Sequence, residues 1–393
     1  MAAVTADAVL PQSFAALRVL VVHDWLVTWA GAERCVEQIL QVFPQADLVV
    51  GLLKPDLRNL NQVTRRAQET WLARLPGAQT HHRWLLPLEG VAFSLLDTKQ
   101  YDLIISSSHA FAKSVRPRNG ALHICYCYTP PRYLWDLQAA HRDYATALQR
   151  VALVMATGLL RRMDLRAAGG VDHFIAISEF VSDRIRRWYN RSSDVVYPPV
   201  APKTEKSVAA GRGEFLLCLG RLVPYKRIDL AIEAAKRLGL RLVVAGDGPD
   251  RRWLERLGGR RTEFVGAVSE TEAARLLSTC RAFLFCGVED FGIVPVEANA
   301  HGTPVVAYAG GGVLESMVPG VTAELFEDQT VSSLEAAIRR ALDKGWDHSA
   351  IRQNAARFAP TKFRSAFTAA VTRALGARSS TGHPDTRRAL LGS

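Results

Sequence analysis

EFLLCLGRLVPYKRIDLAIEAAKRLGLRLVVAG, residues 214–246, contains one full period of the chain's architecture. FLLCL is apolar without alternation and stops at Gly220, the pattern of a strand covered on both faces. A short loop carries Arg221 and Lys226. The amphipathic stretch IDLAIEAAKRL reads as a helix, and LRLVVAG supplies a second buried strand. A strand, a helix and a strand in this order form a parallel βαβ unit.

The same alternation runs outward in both directions. Downstream, TEFVG (262–266), AFLFCG (282–287) and PVVAY (304–308) read as strands with helices between them. Upstream, LRVLVV (17–22), DLVVGLL (47–53), DLIIS (102–106), LHICYCY (122–128) and HFIAIS (173–178) do the same. Helices are expected over 31–43, over 142–166 and after Ser178, whose hydroxyl suits an N-cap. VVYPPVAPKTEKSVAAGRGE (195–214) breaks the pattern with Pro, Gly and Lys, which is linker chemistry. The expected fold class is therefore α/β, with two facing Rossmann-like, doubly wound domains and an interdomain cleft. The expected boundaries are 1–200 for the first domain and 201–360 for the second. A C-terminal helix over 361–377 can cross back to the first domain, and 378–393 reads as a disordered tail.

Length and composition agree with two globular domains: 393 residues, 48% hydrophobic and 22% charged. The N-terminus lacks a basic region followed by an apolar one, and no apolar run is long enough to span a bilayer, so a cytoplasmic location is expected. The six cysteines are scattered through apolar runs, which fits buried thiols. A net charge of +11 points to a polyanionic partner. No zinc finger or RNA-recognition signature appears, which weighs against nucleic acid.

Chemistry concentrates at the ends of strands. Arg221 and Lys226 follow FLLCLG directly, where two cations suit a diphosphate leaving group. In GVEDFGIVPVEANAHGTPVVAYAGGG (287–312), Glu289 precedes a tight turn at Phe291 and Gly292. A helix then starts near Ile293 and carries Glu297. Two carboxylates around a helix N-terminus can grip vicinal hydroxyls while the helix end meets a phosphate. GGG (310–312) is a further candidate anion-binding turn, and GDGP (246–249) a candidate neighbour of the base. In the first half, Gly31 opens a helix straight after the first strand, which lets a ligand approach the backbone. His109, Lys113 and Arg132 lie near strand ends, either facing the cleft or solvated. No dinucleotide fingerprint is present.

These motifs together resemble the retaining glycosyltransferases of the GT-B fold, family 4 (group 1). GRLVPYKRIDLAIEA matches that family's phosphate motif, and Glu289 with Glu297 its E-x7-E motif. The resemblance runs from about Arg18 to Leu375. HDWL…GAER, ISSSHA-x-AK and CYxxTPxRYxWD are similar to bacterial mannosyltransferases of surface-polysaccharide and exopolysaccharide assembly. The resemblance implies that Arg221 and Lys226 neutralise the donor diphosphate and that Gly31 lies against it. Phe291, Gly292 and Ile293 would belong to the donor site, with Glu297 on the ribose and Glu289 on the transferred sugar. Lys113 and Arg132 would lie on the acceptor side. Relatives carry His where this chain has Tyr128, which leaves the catalytic contact at that position open between Tyr128 and His109. The implied donor is GDP-mannose and the implied acceptor a polyprenyl-diphosphate-linked oligosaccharide. No cofactor and no metal are expected, since no Asp-x-Asp accompanies the motifs. Alternatives are a UDP-sugar donor, an epimerase or phosphorylase of the same fold, or an inactive sugar-nucleotide binder.

NLNQVTRRAQETWLARLPGAQTHHRWLLPL (59–88) is expected as one long surface excursion. Arg65, Arg66 and Arg74 alternate there with Trp71 and Trp84, a composition that settles on an anionic membrane surface. Peripheral attachment to the inner face of the cell membrane follows as an expectation.

Overall fold

The computed structural model describes residues 12–81, 85–136, 147–201 and 213–380. It divides into two compact units, Met1–Tyr197 with Phe363–Ser393, and Pro198–Lys362.

In the first unit the chain runs β1 (Val19–His23), α1 (Gly31–Val42), β2 (Asp47–Val50), β3 (Ala67–Glu69), α2 (Leu86–Ser94), β4 (Leu103–Ser108) and β5 (Leu122–Cys127). It continues through α3 (Ala147–Gly169), β6 (His173–Ala176), α4 (Glu179–Tyr189) and β7 (Ser193–Val195). The sheet order is β3-β2-β1-β4-β5-β6-β7, parallel throughout. Order reverses between β1 and β4, so the crevice beyond His23 and Ser108 is the topological switch point. β1, β4 and β5 are buried at every position, their polar residues His23, Ser106, Ser107, Ser108 and His123 included. Ser178 caps α4, accepting from the Val181 amide at 3.1 Å.

The second unit runs β8 (Phe215–Leu219), α5 (Ile228–Leu238), β9 (Arg241–Ala245), α6 (Arg251–Leu257), β10 (Thr262–Gly266), α7 (Glu270–Thr279) and β11 (Ala282–Phe285). Then come α8 (Ile293–Ala300), β12 (Val305–Tyr308), β13 (Ala323–Phe326), α9 (Val331–Asp343), α10 (His348–Ala356) and α11 (Pro360–Ser380). Its six strands are also parallel, in the order β10-β9-β8-β11-β12-β13, with the switch between β8 and β11. Leu216, Ile232, Leu242, Leu284 and Ile338 centre the core, where α5 and α9 cover the strands.

From Phe363 onward α11 belongs to the first unit. The rings of Phe363 and Phe367 stand edge-on to Tyr126 at 5.6 and 5.9 Å, and Arg364 donates to the side chains of Gln38 and Gln41. The helix extends to Ser380, so 378–380 are helical rather than part of a tail. Residues 381–393 of the expected tail lie outside the described residues, as do 142–146 of the expected long helix and 202–212 of the linker.

Three strands escaped the sequence pattern: β3 (AQE), β7 (SDV) and β13 (AELF). All are sheet edges, where only part of a strand is covered and no apolar run is needed. β3 also corrects the reading of 59–88 as one excursion. Arg65 and Arg66 end a short helix ahead of β3, whereas Trp71 and Arg74 follow it, so the two groups lie at opposite ends of an edge strand. Arg66 is further tied down, donating to the carbonyls of Pro44 and Ala46 at 2.9 and 2.6 Å. Trp84 lies outside the described residues.

Candidate functional site

Each unit places a polar cluster at its switch point. In the second unit Gly220 directly follows β8, and the turn Pro224–Lys226 folds back over the end of β11. This needs backbone close to backbone. A Cβ on Gly287 would sit 2.5 Å from the Tyr225 carbonyl oxygen, and one on Gly246 only 1.9 Å from that of Gly220. The loops after β8, β9 and β11 are therefore pressed together with no side chain between them. Lys226 emerges from this turn with its ammonium 2.6 Å from Glu289 Oε1. Burial opposes the charge on Lys226, but the adjoining carboxylate outweighs it and the ammonium pKa is raised. Arg221 is exposed and makes no ion pair among the described residues.

The Glu289 loop is held from the other side by the glycine run after β12. The Gly312 amide donates to the Glu289 carbonyl at 2.9 Å, and a Cβ on Gly312 would meet the Asp290 carbonyl at 2.4 Å. GGG thus serves to seat the Glu289 loop closely. Gly292, at φ +86°, makes the left-handed step into α8. Ile293 is the first helical residue, and Glu297 stands half-buried one turn later. The side chain of Phe291, a residue expected in the donor site, is buried and edge-on to Phe358 at 5.2 Å. Lys226 and Glu289, both singled out in the sequence at strand ends, are thus in contact. A cavity of about 20 Å³ beside the pair, lined by Cys218, Ile228, Phe285 and Cys286, has room for a water and not for a nucleotide.

In the first unit the organising residue is Asp24, which the sequence reading passed over. It is fully buried just past β1 and accepts from the amides of His109, Ala110 and Ala112 at 2.6, 3.0 and 2.6 Å. His109 Nδ1 adds an ion pair at 3.0 Å, with about a third of the imidazole exposed. Burial alone would raise the Asp24 pKa, but His109 and the amides more than reverse it, so the carboxyl stays ionised. Burial likewise opposes a charge on His109, and Asp24 overcomes it, raising that pKa. An aspartate directly after a buried strand was the available signal, since ionised groups are rarely buried without partners.

Tyr128, also open, is locked. Its hydroxyl donates to the Ala32 carbonyl at 2.9 Å and lies 2.8 Å from Ser107 Oγ, which lies 3.0 Å from His23 Nδ1. With one proton per hydroxyl, the bonds run one way: His23 Nδ1–H to Ser107, Ser107 to Tyr128, Tyr128 to Ala32. His23 is then neutral, in keeping with burial lowering its pKa, and its buried Nε2 is a bare acceptor. Tyr128 thereby fixes the first turn of α1, next to Gly31. His109 and Tyr128 are both partly exposed, and the His109 ring stands edge-on to Trp25 at 5.2 Å.

Lys113 requires a correction. It is buried and ion-paired with Asp164 at 2.7 Å, and Asp164 also accepts from Trp135 and Tyr189 at 2.9 Å. Such a cation holds α3 against the sheet and does not face a ligand. Arg132 opens the short helix Arg132–Trp135, half-buried.

Residues 201–358 match the model of a family described as glycosyl transferases group 1. Among curated relatives, glycogen synthase of Mycobacterium tuberculosis (strain CDC 1551 / Oshkosh) is 37% identical over 139 residues, 33% of this chain and 34% of that protein. The D-inositol 3-phosphate glycosyltransferase of Mycobacterium bovis (strain BCG / Pasteur 1173P2) is 33% identical over 171 residues, 38% of this chain and 36% of that protein. The chain thus spans about a third of the length of these relatives. Among solved structures, Anabaena HepE in complex with UDP superposes with a TM-score of 0.67 at 17% identity, covering 91% of this chain and 100% of that one. Sucrose-phosphate synthase from Thermosynechococcus elongatus gives 0.66 at 19% identity, with 93% and 98% covered. With its two α/β domains and parallel sheets, this chain has the GT-B fold of such glycosyltransferase structures.

Proposed function

We propose that this chain, with a group 1 glycosyltransferase match over residues 201–358, transfers a hexose from a sugar nucleotide to an acceptor hydroxyl with retention of configuration. The observation that carries the reading is the Lys226–Glu289 pair at the second unit's switch point, flanked by exposed Arg221 and the N-terminus of α8. When the donor bond breaks, negative charge collects on the departing diphosphate. Arg221 and Lys226 stabilise that charge from fixed positions, and the α8 amides add to it. Glu289 orients the transferred sugar through its hydroxyls, and Glu297 holds the ribose. His109, kept in one orientation by Asp24, serves the sugar-bearing substrate of the first unit, while Tyr128 positions α1 and Gly31.

The donor in this reading is GDP-mannose, on the strength of the motifs in the first half. The acceptor is a lipid-diphosphate-linked oligosaccharide of surface-polysaccharide assembly, reached by peripheral association with the membrane. A UDP-sugar is the second reading, favoured by the solved HepE complexes with UDP and UDP-glucose. A mass-spectrometric screen of GDP-mannose and UDP-hexoses against polyprenyl-diphosphate glycans tests both. Hexose transfer from GDP-mannose to lipid supports the first reading. Transfer from UDP-sugars alone moves the donor to the second, and turnover without any acceptor defeats the transferase reading.

A further inference from the structure

Helix α2 is apolar on both sides. Ala92 and Phe93 face inward, yet Leu88, Val91 and Leu95 are 41%, 42% and 66% exposed. Spaced at i, i+3 and i+7, they share one outward face. The only acid of α2, Glu89, is buried, and the first exposed acid beyond the helix is Asp97.

Besides the largely buried turn Ala112–Ser114, two elements packed against α2 carry exposed residues of the same character. α3 lies alongside, with Met163 Cε 3.5 Å from where a Cβ on Gly90 would be. In its described part, 157–169, the exposed residues Leu159, Arg162, Leu165 and Arg166 also share one side, and the single acid there, Asp164, is buried. The turn Trp71–Arg74 packs on the other element boundary of α2, with Trp71 and Arg74 exposed. Arg74, Arg162 and Arg166 make no ion pair among the described residues. The face is therefore a row of aliphatic side chains and one indole flanked by uncompensated guanidinium groups, with no exposed carboxylate on any of its three elements. A second protein surface would need carboxylates placed to meet those arginines. A bilayer with anionic headgroups supplies them everywhere and accepts the aliphatic row at acyl depth.

We propose that the outward face of α2 and α3, with Trp71 and Arg74, docks on an anionic lipid surface. This relocates membrane contact from the Arg65–Arg66 end of β3 to its other end. Its purpose rests on the proposal of a lipid-borne acceptor, but it is tested without sugar substrates, so its failure would leave sugar transfer standing.

The test is co-sedimentation with phosphatidylglycerol and with phosphatidylcholine vesicles. The wild-type chain should sediment with the anionic vesicles at low salt and less so as salt rises. Leu88→Ser, Val91→Ser and Leu95→Ser together should cut partition by about tenfold or more. These positions face outward, so an unchanged melting temperature is the control for folding. Arg65→Ser with Arg66→Ser should change partition less than about twofold. A second readout is available because all six native cysteines are buried. A polarity-sensitive dye on Val91→Cys should shift to the blue with anionic vesicles only. Failure of the wild type to bind anionic vesicles at low salt overturns the proposal, as does full binding by the triple variant. Sedimentation without a dye shift places the contact elsewhere, and a dye shift that follows protein concentration without lipid assigns the face to a second copy; both outcomes also overturn it.

Discussion

Replacing Asp24 by Asn should unfold the first unit's centre more than any surface change of one charge. Asp24 Oδ2 accepts from the amides of His109 and Ala110, and Oδ1 from that of Ala112. An asparagine oxygen can keep one of these sets, and its NH2 must then face a buried N–H. Leaving that donor unpaired costs about 1–3 kcal/mol, and the bonds that survive lose their charge assistance, for a total of about 3 kcal/mol. For a unit of this size that lowers the melting temperature by roughly 6–12 °C. Calorimetry against pH gives the sign of the electrostatic part. The depressed Asp24 pKa adds stability that is complete above the ordinary aspartate value of about 4 and is lost as pH falls through the folded value. The raised His109 pKa adds stability that is complete below about 6.5 and is lost as pH rises through its folded value. Asp24→Asn should flatten both slopes, and the His109 imidazole, followed by NMR, should titrate lower, because burial and the charge of Lys113 are then opposed only by Glu33. A variant that melts within about 2 °C of wild type, with His109 titrating unchanged, would refute the assignment of Asp24 as the organising residue.

Arg221→Ala and Lys226→Ala should each lower kcat/KM by about 30- to 1,000-fold, measured with whichever donor the screen identifies. Glu297→Ala should weaken nucleotide diphosphate binding by about tenfold in calorimetry, whereas Glu289→Ala should act mainly on kcat. Activity should survive EDTA, because protein cations serve the diphosphate; loss restored by Mg²⁺ or Mn²⁺ would contradict this. Lys113→Met should destabilise the fold by about 3–5 kcal/mol by stranding Asp164, yet leave the acceptor KM within a few-fold wherever the protein remains folded.

The reading of buried strands from unbroken apolar runs succeeded wherever the strand was central, as FLLCL and LRVLVV show. It failed at AQE, SDV and AELF, edge strands held by backbone bonds on one side that need no such run, although TEFVG, the remaining edge, was read. In the second unit the site was legible because its cations and carboxylates fall directly at strand ends, and Lys226 and Glu289 do meet. The burial of the Phe291 side chain was not legible, because an exposed aromatic in a loop and one packed into the core look alike in sequence. Asp24 and Lys113 needed coordinates, since their burial depends on partners 85 and 51 positions away, His109 and Asp164.

The contact of loop backbones at the end of the second sheet bears on how a ligand would be received there. Flexible side chains between loops let each loop adjust alone, at the expense of freedom lost when something binds. Here Gly246 lies against Gly220 and Gly287 against Tyr225 with no side chain between, so the loops after β8, β9 and β11 can move only as one plate. Most of their disorder was given up when the chain folded. A diphosphate arriving at this rim meets a surface already in shape, and the ordering cost of association falls mainly on the ligand.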